Sequence, residues 1–168
     1  GGILNRSGID DHVQKEHKMI NLDLMVINLY PFEETISKKN VNESNAIENI
    51  DIGGPSMIRA SAKNFYHKAI LTDPEDYESF INELENNDCL ISETSRRDLA
   101  IKAFRRTAMY DSAIHNYFSQ KVDEELIPEE IPLGLKKISS LRYGENPHQN
   151  AGLYISRKQA NSLANAKI

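Results

Sequence analysis

Apolar residues along the chain alternate between short continuous runs and helical stripes. Residues 22–30 form a nearly continuous apolar run that stops at Pro31. Such a run is typical of a strand buried on both faces of a parallel sheet that helices cover. Asn28 and Tyr30 would follow this strand at its carboxyl end, where open α/β sheets bind their ligands. A second apolar run at residues 69–71 predicts another short strand.

The segments around these strands carry helix signals. Residues 10–20 predict a surface helix, Asn42 can cap a second helix, and Asp73 followed by a proline can cap a third. A longer helix is predicted over residues 92–120. The helix after Asp73 has apolar residues at i, i+3, i+4 and i+7: Tyr77, Phe80, Ile81 and Leu84. The long helix has an apolar side made of Leu99, Ala103, Tyr110, Ile114 and Phe118. Strands that alternate with helices in this way predict an α/β domain.

The chain changes character after the long helix. Residues 121–132 are acidic and contain two prolines, which indicates a linker. Residues 133–141 predict a further strand, and residues 141–149 are rich in turn-forming and polar residues. The pattern therefore predicts two parts, residues 1–132 and residues 133–168.

Composition narrows the class of protein. The chain has 39% hydrophobic and 27% charged residues, as globular domains do, and its net charge of −5 argues against a nucleic-acid surface. The single cysteine, Cys89, excludes an internal disulfide and fits a reducing cytosol. No apolar run approaches the ~20 residues of a membrane span. Because the first residue is glycine, we expect the chain to begin within a longer protein.

Residues 50–64 combine glycines with acidic and basic residues around a predicted helix start. Gly53 and Gly54 permit close approach of the backbone, and Pro55 suits the first position of a helix. Arg59 and Lys63 would share one face of that helix. Together with Asp51, these features suit a polar, anionic ligand. A plain turn followed by a solvated helix face has the same local pattern.

Common catalytic templates are missing from the sequence. The five histidines show no metal-ligand spacing, so no metal site is predicted, and no phosphate-binding loop, dinucleotide fingerprint or serine-hydrolase elbow is present. An acid, a lysine, a phenol and an amide remain at strand and helix ends: Asp51, Lys63, Tyr30 and Asn28. This set suits acid–base chemistry on a neutral polar substrate, with lysine stabilising developing negative charge.

Four segments carry a resemblance to a known family. Residues 28–32 (Asn-Leu-Tyr-Pro-Phe), 50–54 (Ile-Asp-Ile-Gly-Gly) and 59–64 (Arg-Ala-Ser-Ala-Lys-Asn) resemble the inosine monophosphate cyclohydrolase domain of the bifunctional purine-biosynthesis enzymes. Residues 141–149 (Leu-Arg-Tyr-Gly-Glu-Asn-Pro-His-Gln) resemble the opening of that family's formyltransferase domain. The motifs follow the family's order and extend the resemblance over almost the whole chain.

The resemblance implies a fold and an activity. The first part would be a methylglyoxal-synthase-like parallel sheet flanked by helices, without its N-terminal portion, and residues 133–168 would begin a cytidine-deaminase-like formyltransferase domain. The parent protein would transfer a formyl group from 10-formyltetrahydrofolate to aminoimidazole-carboxamide ribonucleotide, then close the ring to inosine monophosphate with loss of water. Ring closure would need no cofactor, and the folate site would lie outside this chain. A cytosolic homodimer that acts on purine ribonucleotides, with neither nucleic-acid nor membrane partner, is expected.

The same resemblance implies roles for individual residues. Lys63 matches a lysine that takes part in proton transfer, Asp51 an acid that orients and deprotonates the amide, and Tyr30 a phenol near the reacting oxygen. Further positions match contacts to the cyclohydrolase substrate: Ile27, Asn28, Ile52, Gly53, Gly54, Arg59 and Asn64. Positions in the second domain match contacts to the formyltransferase substrate: Arg142, Tyr143 and His148. This chain by itself is expected to be inactive.

Two other readings of the sequence stay open. A domain of the methylglyoxal-synthase-like type could sense a phosphorylated effector without catalysis. Alternatively, the segment could only supply a dimer surface, in which case changing Tyr30 or Lys63 would alter no ligand binding.

Overall fold

The computed structural model of the chain describes residues 1–119 and 129–156. The chain divides into two compact units, Gly1–Ile114 and His115–Ile168. A short 3₁₀ turn at Pro74–Asp76 precedes the fifth helix. The helices and strands are α1 (Asp11–Glu16), β1 (Leu24–Val26), α2 (Phe32–Ser37), α3 (Glu43–Glu48), α4 (Gly53–Lys63), β2 (Ala69–Leu71), α5 (Tyr77–Asn86), α6 (Glu93–Ser119), β3 (Leu135–Leu141) and β4 (Ala151–Ser156).

A small parallel sheet forms the centre of the first unit. Strands β1 and β2 pair in parallel, with Leu24 opposite Ala69 and Val26 opposite Leu71. Between them the chain passes through α2, α3 and α4, which is the long crossover that parallel strands require. The predicted α/β arrangement of a parallel sheet with helices is confirmed.

Strand β2 is buried on both faces. On one face Ile70 packs with a cluster from β1, α4 and α6 that contains Met25, Ile58, Ala62, Ala100 and Ala103. On the other face Ala69 and Leu71 pack against Phe80 of α5 and Leu99 of α6. This strand therefore carries most of the core of the first unit.

Strand β1 differs from the prediction. It is three residues long, and only Met25 is buried, whereas Leu24 and Val26 are 40% and 49% exposed. Side chains two residues apart share a face, so Leu24 and Val26 lie on the same face as Ala69 and Leu71. The described apolar cluster on that face does not extend onto β1. The prediction of burial on both faces was therefore wrong for β1.

The predicted helix starts are confirmed by their caps. Asn42 Oδ1 accepts a hydrogen bond from Asn45 N at 2.7 Å at the start of α3, and Asp73 Oδ1 accepts from Glu75 N at 3.0 Å. Ser92 Oγ accepts from Ser95 N at 3.1 Å before α6. Each bond satisfies an amide that the helix itself cannot pair.

A lysine that the sequence did not single out lies in the interior. The Lys68 side chain is fully buried just before β2, and its Nζ donates to Asn21 Oδ1 at 2.8 Å. Asp23 Oδ1 lies 3.9 Å from the same nitrogen. Burial lowers the pKa of Lys68, and the charge of Asp23 partly opposes this shift.

The second unit contains an antiparallel hairpin. Strands β3 and β4 pair from Leu135 opposite Ser156 to Leu141 opposite Ala151, with an irregularity between Lys137 and Ser139. The predicted strand at residues 133–141 is confirmed as β3. The predicted division at residue 132 stays a prediction, and residues 120–128 of the expected linker lie outside the described residues.

Candidate functional site

The first site segment begins where β1 ends. Ile27 N donates to Leu71 O at 2.9 Å, which keeps the chain beside β2 for one residue beyond the strand. Asn28 and Tyr30 follow, both exposed, and α2 starts at Phe32 after Pro31. The structure thus places Asn28 and Tyr30 beyond the carboxyl end of a parallel strand, as predicted.

Asp51 joins this segment to the start of α4. Its Oδ1 accepts a hydrogen bond from Gly54 N at 2.7 Å. Its Oδ2 lies 3.4 Å from Tyr30 N, which is long for such a bond. Two motifs that are 21 residues apart in sequence therefore meet at one carboxylate.

Gly54 is required for this close approach. A Cβ at this buried position would overlap Asp51 Oδ2 and would lie 2.7 Å from Leu29 Cδ2. Gly53 is different, because a Cβ there would have nothing within 4 Å. Of these two glycines, only Gly54 is therefore required for steric reasons.

The start of α4 differs from the prediction in two respects. The helix begins at Gly53, so Pro55 is its third residue and not its first. Proline is still tolerated there because amides of the first turn have no partner within the helix. In addition, the Gly54 amide is used by Asp51, so it is not available to a ligand.

Tyr110 of α6 holds the Asp51 loop from inside the protein. Its fully buried hydroxyl accepts a hydrogen bond from Asp51 N at 2.9 Å and donates to Asn49 O at 3.1 Å. Burial raises the pKa of Tyr110, and the hydrogen bond from the Asp51 amide partly opposes this. The sequence marked Tyr110 only as a core position, since periodicity carries no information about where a buried hydroxyl bonds.

Asn28 has a fixed side chain. Its Nδ2 donates to the Tyr77 hydroxyl at 2.9 Å, at the start of α5. This bond uses one of the two amide hydrogens, so a ligand can still use the Asn28 carbonyl oxygen and the second hydrogen. Tyr77 was also predicted only as a core residue.

The two predicted cations of α4 lie away from Asp51. Helix α4 has 11 residues, so its axis is roughly 16 Å long, and Lys63 ends it while Asp51 precedes it. The Arg59 guanidinium lies over the Phe104 ring, 5.9 Å from the centroid. The expected single cluster of an acid and two cations is therefore divided along the helix.

Other predicted contacts fall in different environments. The buried Asn64 side chain donates to Ile3 O at 3.0 Å and Asn5 O at 2.8 Å, so its amide hydrogens anchor the N-terminal segment. Ile52 is 75% exposed between Asp51 and α4. A substrate contact by Asn64 has no support from this geometry, whereas Ile52 is accessible.

The residues predicted for the second domain share one turn. Arg142, Tyr143 and His148 are exposed between β3 and β4. The turn is closed by Gln149, whose backbone oxygen accepts from Gly144 N at 2.8 Å and whose side-chain oxygen accepts from Asn146 N at 2.9 Å. The structure therefore places these three residues in the same connection between β3 and β4.

Two kinds of feature are absent from the described residues. Across residues 1–119 and 129–156, no group of three or more His, Cys, Asp or Glu is arranged to hold a metal ion. In the same part of the chain, no helix combines the length and apolar character that crossing a membrane requires.

Comparison with known proteins identifies relatives. A family model described as "AICARFT/IMPCHase bienzyme" matches residues 61–168. The bifunctional purine biosynthesis protein PurH of Thermoanaerobacter sp. (strain X514) is 49% identical over 98% of this chain and 32% of its own length. PurH of Xanthomonas euvesicatoria pv. vesicatoria (strain 85-10) is 45% identical over 92% of this chain and 31% of its own.

A solved structure, described as "Crystal structure of ForH", has a TM-score of 0.64 and 32% identity, covering 73% of this chain and 64% of that one. The chain spans about a third of the length of the curated relatives. The family model begins at residue 61, but the PurH alignments include the Asp51 and Tyr30 segments as well. This chain belongs to the AICARFT/IMPCHase bienzyme family.

Proposed function

We propose that this chain forms part of the cyclohydrolase site of a bifunctional enzyme of purine biosynthesis. The enzyme transfers a formyl group from 10-formyltetrahydrofolate to aminoimidazole-carboxamide ribonucleotide, then closes the product to inosine monophosphate. One observation carries the proposal: the Asp51 carboxylate lies between Gly54 N and Tyr30 N, so two of the resembling segments meet at the carboxyl end of β1. The surrounding sheet is of the methylglyoxal-synthase-like type.

The two oxygens of Asp51 have different tasks in this proposal. Gly54 N holds Oδ1, whereas Oδ2 makes only a long contact with Tyr30 N and can accept a proton from a ligand. In ring closure the carboxamide nitrogen forms a bond to the formyl carbon. One proton leaves that nitrogen, one leaves the formamido nitrogen, and the formyl oxygen departs as water. Asp51 receives the carboxamide proton, and the exposed Tyr30 phenol donates to the formyl oxygen.

Positioning contributes much of the rate, because a carboxamide is a weak nucleophile. The free Asn28 carbonyl oxygen orients the carboxamide, and Ile27, Ile52, Gly53 and Gly54 form the adjoining wall. Lys63 and Arg59, farther along α4, contact a different and negatively charged part of the ligand. Lys63 thus stabilises charge without direct contact with Asp51.

The second unit contributes to the other activity. The exposed turn with Arg142, Tyr143 and His148 binds aminoimidazole-carboxamide ribonucleotide in the formyltransferase domain, where the planar donors of arginine suit phosphate or carboxamide oxygens. The folate site lies outside this chain, and ring closure uses no cofactor. The parent protein is a cytosolic homodimer.

A hybrid enzyme tests the proposal. Residues 1–168 replace the matching third of Thermoanaerobacter PurH, and conversion of the formylated ribonucleotide to inosine monophosphate is followed. The hybrid should turn over, and Asp51→Asn should lower kcat by about 100-fold or more, as loss of a general base does. Asp98→Asn, on the exposed surface of α6, is the matched control and should keep the rate.

Three outcomes would count against the proposal. The first is a hybrid that binds inosine monophosphate without turnover, which would support a regulatory domain. The second is an Asp51→Asn hybrid that keeps the full kcat. The third is ring closure by the 168-residue chain alone.

A further inference from the structure

Tyr110 touches both halves of the candidate site from within the core. Its hydroxyl bonds the backbone on either side of residue 50, at Asn49 O and Asp51 N. Its ring meets the Phe32 ring edge-on, with centroids 6.1 Å apart and an interplanar angle of 68°. Phe32 comes two residues after Tyr30, so one buried side chain contacts both site segments.

The bonds at Asp51 explain how a buried phenol can direct a half-buried carboxylate. Tyr110 fixes the backbone nitrogen of Asp51, and Gly54 N fixes Oδ1. With both ends of the residue held, rotation about its side-chain bonds is restricted and Oδ2 stays directed at the Tyr30 amide. Without the hydroxyl, the Asp51 nitrogen would lose this partner, and the carboxylate would be held only by the Gly54 amide and the long contact with Tyr30 N.

The Tyr110 ring is itself held in place. The Arg106 guanidinium lies over it, 5.9 Å from the centroid, and Arg106 Nη1 pairs with Glu33 Oε2 at 3.1 Å. Arg106 lies one turn before Tyr110 on α6, and Glu33 is in α2 next to Phe32. The pair therefore connects α6 to α2 around the ring, so the hydroxyl has little freedom to shift.

We propose that Tyr110 is a positioning residue of the cyclohydrolase site, which sets the direction of the Asp51 carboxylate relative to Tyr30. It is fully buried and does not contact the substrate. The catalytic part of this inference rests on the proposed function. Its structural part, the restraint of Asp51 by the Tyr110 hydroxyl, does not.

The structural part is tested on the 168-residue chain by amide hydrogen exchange. Tyr110→Phe removes one oxygen and keeps the ring, so exchange at the Asp51 amide should accelerate at least about tenfold while Ile70 in β2 is unchanged. Tyr66→Phe is the matched control, because the Tyr66 hydroxyl accepts from Arg97 Nη2 at 3.3 Å, away from Asp51. Unchanged exchange at Asp51 in Tyr110→Phe overturns the inference. If that variant does not fold, Tyr110→3-fluorotyrosine, a weaker acceptor of the same shape, should accelerate the same amide.

The catalytic part is tested by a double-mutant cycle in the hybrid enzyme. Tyr110→Phe should lower kcat roughly tenfold or more with KM within about threefold, since only positioning for the reaction is lost. In the Asp51→Asn background the same change should have little further effect, because residues that act together are not additive. An equal loss in both backgrounds indicates a merely structural role and overturns the inference. An inactive unmodified hybrid contradicts the proposed function, and hydrogen exchange then decides the role of Tyr110.

Discussion

Gly54 occupies the point where the Asp51 carboxylate and the Leu29 side chain approach the first turn of α4. The backbone there is ordinary helix, so the constraint arises from neighbouring atoms and not from a left-handed conformation. The Asp51 carboxylate also accepts a hydrogen bond from the Gly54 amide. At the residue scale, the site thus depends on glycine at position 54, which leaves room for the Asp51 carboxylate, as much as on that carboxylate itself.

Gly54→Ala should destabilise the chain by about 1–3 kcal/mol, since a methyl group would displace Asp51 or Leu29. Gly53→Ala is the matched control. It places the methyl group in open space, and replacing a helical glycine should stabilise by roughly 0.5–1 kcal/mol. Urea unfolding of both variants checks the pair, and equal unfolding free energies would contradict the steric argument.

The buried Lys68 predicts a pH dependence of stability. Burial lowers its pKa in the folded chain below the ordinary value of 10.5. Between the folded and the unfolded pKa the unfolded chain binds more protons, so the free energy of unfolding rises with pH in that window. This contribution should be absent in Lys68→Met.

The measurement is the difference in unfolding free energy between the unmodified chain and Lys68→Met, from neutral pH up to 10.5. The difference should grow in favour of the unmodified chain as the pH rises. Because all other titrating groups are common to both proteins, parallel pH profiles would show that Lys68 keeps an ordinary pKa.

In the first unit, the positions of helix starts and the burial of strand residues depend on different interactions. Helix starts depend on one side chain and an amide two or three residues away, as at Asn42 and Asp73. Strand β1 depends on what covers each of its faces, and the described residues cover only the face that Met25 occupies. At the element scale, local chemistry places helices, whereas packing determines which strand residues form the core.

Truncation to alanine should therefore lower the free energy of unfolding by different amounts at Met25 and at Val26. Met25→Ala removes a buried side chain from the cluster with Ile58 and Ile70, and it should lower the free energy of unfolding by about 2–5 kcal/mol. Val26→Ala should cost well under about 1 kcal/mol, because that side chain is half exposed. Chemical denaturation of the two variants is the check, and a larger loss at Val26 would mean that this face of β1 is covered in solution.

At the scale of the whole molecule, the candidate site is assembled from distant parts of one unit. Tyr30 and Asp51 are 21 residues apart, Asn28 and Tyr77 49, and Asp51 and Tyr110 59. All of these residues belong to Gly1–Ile114. The turn with Arg142, Tyr143 and His148 belongs to the other unit, His115–Ile168.

The sequence by itself determined the local features of this protein. It located the parallel strands, the caps at Asn42 and Asp73, the long helix α6 and the motifs that identify the family, since each depends on residues close together in the chain.

Only the tertiary structure decided which residues act on the site from a distance. It showed that Tyr110 bonds the Asp51 loop, that Tyr77 orients Asn28, that Asn64 faces inward and that one face of β1 is exposed. Hydrophobic periodicity assigns a side chain to a face of its own helix or strand. The partner of a buried hydroxyl or amide is set by how separate elements pack together, and that packing is a property of the whole chain.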